Sequence, residues 1–147
     1  MTLDDFRNTH QRYQQEKPKL FLLAEPDPCA TDDQLNDAER QIGMKLSKSY
    51  RSFLAEFGGG MFGFTNVFSV NPASEYYLPA RKEEASIYLP NNLLPFSDDS
   101  AGGLYVLKVM DGSAEESVCY WNNDGGLVST AFANIFDFVA RYAYESA

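Results

Sequence analysis

Residues 53–63 read FLAEFGGGMFG, a helix-like run that meets three glycines and resumes as an aromatic stretch. Upstream, Tyr50, Phe53, Leu54 and Phe57 recur at the i, i+3, i+4, i+7 spacing of a helix face. Downstream, the hydrophobic period drops to two. The order of elements decides what Gly58, Gly59 and Gly60 do. A phosphate-binding loop needs a strand before the glycines, a Lys-Ser/Thr after them and a following helix. The dinucleotide fingerprint requires the same order. Here the helix comes first, the strand second, and no lysine is near. The glycines therefore stop a helix and turn the chain. Gly58 or Gly59 is expected at positive φ, with another backbone segment in close approach. Tyr50 and Phe53 are expected in the core.

On the N-terminal side, Ser47 caps this helix, and TDDQLNDAERQIG (31–43) forms another. Thr31 with Gln34 fits a capping box, Leu35, Ala38 and Ile42 share a face, and Gly43 suits a left-handed stop. Further back, Thr2 caps a first helix carrying Asp4 and Asp5 in its first turn. Leu3, Phe6, His10 and Tyr13 line one stripe, and the helix should end before Pro18. An apolar segment and a loop marked by Pro26 and Pro28 follow.

On the C-terminal side, MFGFTNVFSV (61–70) reads as a strand, and Asn71 to Pro90 as an irregular stretch punctuated by proline. LLPFSDD is a short strand and turn. In the strand GGLYVLKVMDG, Tyr105, Leu107 and Val109 face one way and Lys108 the other. DGSAEE is a turn, SVCYW a strand, and Asp124-Gly125 suits a tight hairpin to the strand LVSTA. Asn134 caps a last helix with Ile135, Phe138, Val139 and Tyr142 inward. Helices, then an antiparallel meander of about 4–6 strands, then a closing helix define an α+β fold. The expected organisation is one domain over 1–147, with a helix and apolar extension in 1–30 and a core in 31–147.

The chain has 147 residues with 14% aromatics, enough for a sizeable core. The start lacks the apolar run of a secretory signal, and no stretch nears the roughly 18 apolar residues of a membrane span. Two cysteines, Cys29 and Cys119, make no disulfide framework. A reduced, cytoplasmic setting with free thiols is the expectation. The net charge is −9, of which residues 51–147 carry −7 with 12 acids and 5 bases. Between Asp98 and Asp124 stand Asp98, Asp99, Asp111, Glu115, Glu116 and Asp124 against Lys108 alone. Such a surface repels nucleic-acid backbones and attracts a basic protein.

Catalytic and metal chemistries find no residue set. One histidine and two distant cysteines give no zinc spacing. DDSAGG and DGSAEE lack the alternating ligands of a calcium loop. No base stands beside a candidate nucleophile, His10 being placed on the inner edge of the first helix. Neither catalysis nor a cofactor is expected. Trp121, at a strand end beside NNDGG, reads either as core filling or as the apolar anchor of a binding patch.

The pattern Leu35-x3-Glu39-x2-Ile42-Gly43-x2-Leu46, then Tyr50-x2-Phe53-Leu54 into the glycines, resembles the start of the SUKH superfamily. Its later landmarks follow in order: Leu94-Pro95-Phe96, Gly102-Gly103, Val118-x-Tyr120-Trp121, and Ala131 with Phe136-x-Phe138. The likeness runs from Thr31 to Tyr144 and rests on the order of the pieces. It departs where Ser47 replaces a frequent proline and where Asn122 and Asn123 precede Asp124. The superfamily groups fungal cell-wall-synthesis regulators of the Smi/Knr type with bacterial immunity proteins. The resemblance implies a non-catalytic α+β protein that neutralises a polymorphic toxin, often a basic nuclease, by direct binding. A regulatory interaction scaffold is the alternative it implies. The expected partner-binding face includes Asp98, Asp99, Glu115, Glu116 and Asp124, with Trp121 or nearby aromatics as an apolar anchor; if their loops gather at one end of the sheet, these acids focus a negative field toward a basic cleft.

Overall fold

The computed structural model describes residues 1–146. Six helices and six strands follow in the order α1 (Leu3–Glu16), α2 (Leu20–Leu23), α3 (Asp32–Ile42), α4 (Lys48–Phe57), β1 (Gly60–Phe62), β2 (Thr65–Val67), α5 (Leu78–Ala85), β3 (Leu93–Asp98), β4 (Leu104–Met110), β5 (Ser113–Asn122), β6 (Gly126–Ser129) and α6 (Ile135–Tyr142). Strands β3-β4-β5-β6 form an antiparallel sheet in chain order, and β1-β2 pair separately. This is the α+β architecture expected from the sequence.

The helix starts are set locally. The Thr2 and Thr31 hydroxyls accept the backbone N–H groups of Asp5 and Gln34, whose side chains bond back to the cap. Ser47 and Asn134 accept from Tyr50 and Asp137. At the other end of α4, Gly58 has φ 74° and ψ −140°. That is the extended mirror region open to glycine, not the left-handed helical one that Gly43 adopts at φ 73° and ψ 25°. The reason lies across the turn. A Cβ on Gly58 would stand 2.0 Å from the Asp27 carbonyl oxygen, and one on Gly59 2.9 Å from that of Val67. The Asp27 N–H donates to the Gly59 carbonyl at 2.8 Å. The glycines make room for the proline-flanked loop to cross the helix end.

Three sequence expectations need correction. Residues 61–70 do not form one strand: Gly63 at φ 60° turns β1 back into β2, with Phe64 N–H held by the Ala143 carbonyl at 2.7 Å. The stretch 71–90 contains α5, because Pro79 sits in the first helical turn, where its missing N–H costs nothing. The two-residue hairpin is at Asp111-Gly112, both at positive φ between Met110 and Ser113. Asp124-Gly125 belongs to a three-residue loop closed by Gly126 at φ 81°.

The core lies on both faces of the sheet. On one face α6 packs Phe138 against Tyr105, with ring centres 4.6 Å apart. On the other, Leu104 and Val106 are also buried, and α5 packs against β3. The alternation expected for β4 therefore fails at its centre. At one end, Phe6, His10, Phe53, Phe57, Phe62, Phe136 and Tyr144 form a continuous aromatic cluster that draws α1 into the core. Cys29 is exposed, Cys119 is buried, and both are free thiols.

Candidate partner-binding surface

The acids named from the sequence fall into two groups. Asp98 ends β3, Asp99 follows it, and Asp124 tips the β5–β6 loop, so these three share one end of the sheet. Glu115 and Glu116 lie near the start of β5, by the Asp111-Gly112 turn. Glu116 is five residues short of Trp121, about 16 Å along an extended strand. Its carboxylate accepts the Ser49 backbone N–H at 3.3 Å and the Ser49 hydroxyl, which ties it to the first turn of α4. Gathering of all five acids at one end is thus corrected. The physical reason is that a helix N-terminus with open N–H groups captures Glu116.

Internal bonds also hold two of the three end acids. Asp98 accepts from Ser100 N–H at 2.9 Å and from the buried Asn66 amide at 3.4 Å, and it pairs with Arg81 at 3.4 Å. Asp99 accepts the N–H groups of Ala101 and Gly103, each at 2.8 Å, and the Tyr120 hydroxyl. Burial pushes the Asp99 carboxyl up, but these donors outweigh it and leave it below the usual carboxylate range. The same carboxylate holds the Tyr120 hydroxyl above its ordinary value. The turn Asp98–Gly103 is therefore a preorganised anionic loop, while Asp124 is exposed.

Trp121 pairs across the sheet with Leu104 on β4 and Leu127 on β6, so all three side chains lie on one face. Trp121 is partly buried against the core, and among the described residues its indole nitrogen is the buried side-chain donor without an acceptor. Leu127 is 40% exposed. Beyond Leu104, a groove of about 280 Å³ continues to the C-terminal end of α5, lined by Gly102, Gly103, Arg81, Glu84 and Tyr88. Tyr88 and its neighbour Ile87 are 47% and 90% exposed. An apolar row thus runs Tyr88, Leu104, Trp121, Leu127, with Glu84, Asp98 and Asp124 along it. Sequence reasoning missed Ile87, Tyr88 and Leu127. The signal was the helix-forming run Ala80–Ala85, which places the following apolar residues beyond a helix end. A second apolar patch, formed by Leu20, Leu23 and Phe64 beside Lys17 and Lys19, lies against α2.

Among the described residues, no three His, Cys, Asp or Glu side chains converge as a metal site would require, and no helix is long and apolar enough to cross a membrane. The family model SUKH_6, SMI1-KNR4 cell-wall, matches residues 32–139. That span runs from α3 into α6 and includes the whole four-stranded sheet, leaving α1 and α2 outside. No curated protein matches the chain.

Proposed function

The chain belongs to the SUKH_6 family, SMI1-KNR4 cell-wall, and from that premise we propose that it neutralises a cognate toxin domain by binding it directly. Membership in this family makes it a non-catalytic, protein-binding protein of the immunity type. The family match over most of the chain is the observation that carries this reading. The partner is a basic toxin domain, a nuclease being the kind whose substrate cleft an acidic surface would fill. The contact face is the apolar row through Trp121 with Asp124, Asp98 and Asp99 at its end. Glu115 and Glu116 add to the field that draws the partner in rather than to the contact. We place the protein in the cytoplasm, where such a toxin would act. A second reading, a regulatory interaction scaffold, is favoured by the cell-wall description of the family itself.

Co-expression separates the two. The flanking genes are read first: a large toxin-bearing gene beside this one supplies the probe, its C-terminal domain, and flanking genes without one count against the immunity reading. Cells expressing that domain should stop growing, and adding this chain should restore growth and yield a co-purifying complex. Growth arrest that persists, with no complex recovered, would overturn the immunity reading.

A further inference from the structure

We propose that the outer edge of β6 is where the partner joins: a basic, extended segment of the toxin domain pairs with Gly126–Ser129 and lengthens the sheet by one strand. This rests on the immunity reading above and specifies how that partner is held.

The sheet β3-β4-β5-β6 has two edges, and among the described residues the β3 edge is bonded to the chain around β2. Along β3, the Phe68 N–H donates to the Phe96 carbonyl at 2.7 Å and the Ser97 hydroxyl to the Asn66 carbonyl at 2.7 Å. Along β6, no strand among the described residues pairs with the outer side. Exposed edges are ordinarily guarded by a lysine, a proline, a bulge or a covering element. The sequence of β6 is Gly-Leu-Val-Ser, without charge or proline. Its register to β5 runs unbroken from Asn122↔Gly126 to Cys119↔Ser129. Shortness is its one protection. Leu127 and Val128 are 40% and 52% exposed, one on each face of the sheet.

An added strand would find side-chain neighbours already in rows. Leu127 continues Leu104 and Trp121, and Val128 continues Tyr105 and Tyr120. In strand addition, main-chain bonds supply affinity while alternate side chains supply choice. Charge chooses the occupant. Between Lys108 and Arg141 the chain carries Asp111, Glu115, Glu116, Asp124 and Asp137 and no Lys, Arg or His; Asp137 pairs with the N-terminal amine at 3.0 Å, and Asp124 stands exposed on the loop that leads into β6. Two copies joined edge to edge would bring these acids together, whereas a basic strand is attracted to them.

Hydrogen exchange of the free chain and of its complex with the same toxin domain reads the edge directly. Amide exchange at residues 126–129 should slow by about tenfold or more on binding. Val128→Lys, at an exposed position, should weaken affinity by about tenfold while leaving the melting temperature of the free chain unchanged. Ser129→Pro serves as the second block, because the alternation of the ladder turns the Ser129 N–H outward while that of Val128 faces Tyr120 on β5. A complex that forms with unchanged exchange at 126–129, and with both variants binding within about twofold of the parent, overturns strand addition and leaves the immunity reading standing. Prior protection of β6 in a dimeric free chain also overturns it, in favour of a second copy. If the unaltered chain forms no complex, the immunity reading fails and strand addition fails with it.

Discussion

A methyl group on Gly58 would collide with the Asp27 carbonyl, while one on Gly43 meets nothing within 4 Å. Both residues have positive φ, so the pair separates backbone strain from collision. Gly43→Ala should cost about 1 kcal/mol, the left-handed penalty alone. Gly58→Ala should cost about 3 kcal/mol, because the loop at Asp27–Pro28 must also move. Denaturant titration of the two variants checks this, and equal losses would contradict it. Glu39 makes a similar point with charge. It is 7% exposed, and its carboxylate accepts the Leu46 N–H at 2.9 Å and pairs with Arg51 at 2.9 Å. Arg51 is a third exposed, which screens the pair. Glu39→Ala should therefore cost about 2 kcal/mol, mainly through the orphaned Leu46 N–H, and Glu39→Gln about half of that. Chemical denaturation reads both. Glu39 was visible in the sequence as a member of a spaced pattern, but its reason for being acidic was not, because its partners lie beyond the end of its own helix.

At the scale of elements, what could be read from the sequence was what is local. Caps at Thr31, Ser47 and Asn134 act over three residues, so their signatures are contiguous and the helix limits followed from them. The turn at Gly63 depends on Ala143, and the position of Glu116 depends on Ser49; neither partner is near in sequence. Helix α5 was hidden because Pro79 reads as a breaker unless its place in the first turn is known. Helix α1 carries its own testable consequence. His10 packs among Phe21, Phe57 and Phe62, with Nδ1 3.0 Å from the Tyr144 hydroxyl. Burial pushes its pKa below the ordinary 6.5, so the folded chain favours neutral imidazole. The unfolded chain binds a proton first as pH falls, so stability is complete above about 6.5 and declines below it. Asp5 and Asp99 are lowered from 3.8 and lose their contribution only in stronger acid, which keeps the windows apart. Melting temperature should fall between about pH 6.5 and 5 in the parent and stay flat there in His10→Phe. Because Phe6 is fully buried and Arg7 makes a bidentate pair with Glu56, we propose that 1–147 folds as one unit. Removal of residues 1–30 should then lower the melting temperature and expose aromatic surface to a hydrophobic dye, and an unchanged melt would refute it.

For the whole molecule, the charge of −9 is distributed so that the β5–β6 hairpin carries Glu115, Glu116 and Asp124 and no basic residue. Composition announced this field, but only the fold tells which acids are free to meet a partner. Asp98 and Asp99 shape their own turn, Glu116 supports α4, and Asp124 is exposed. Asp124→Lys should therefore slow association with the proposed basic toxin domain several-fold and flatten its salt dependence, leaving dissociation little changed. Reversal of Glu116 should instead loosen the start of α4 and appear as lost stability. Trp121→Ala should act mostly on dissociation, since an anchor leaves late. Stopped-flow association and dissociation rates distinguish these cases.

Direct neutralisation through an acidic and apolar face, as proposed, is tested by calorimetric titration of the purified chain, at low and physiological salt, with the C-terminal domain of a toxin identified in its flanking genes. A stoichiometric complex is predicted, with affinity that falls as salt rises and falls further in Trp121→Ala. No binding at either salt concentration would rule out neutralisation by direct contact.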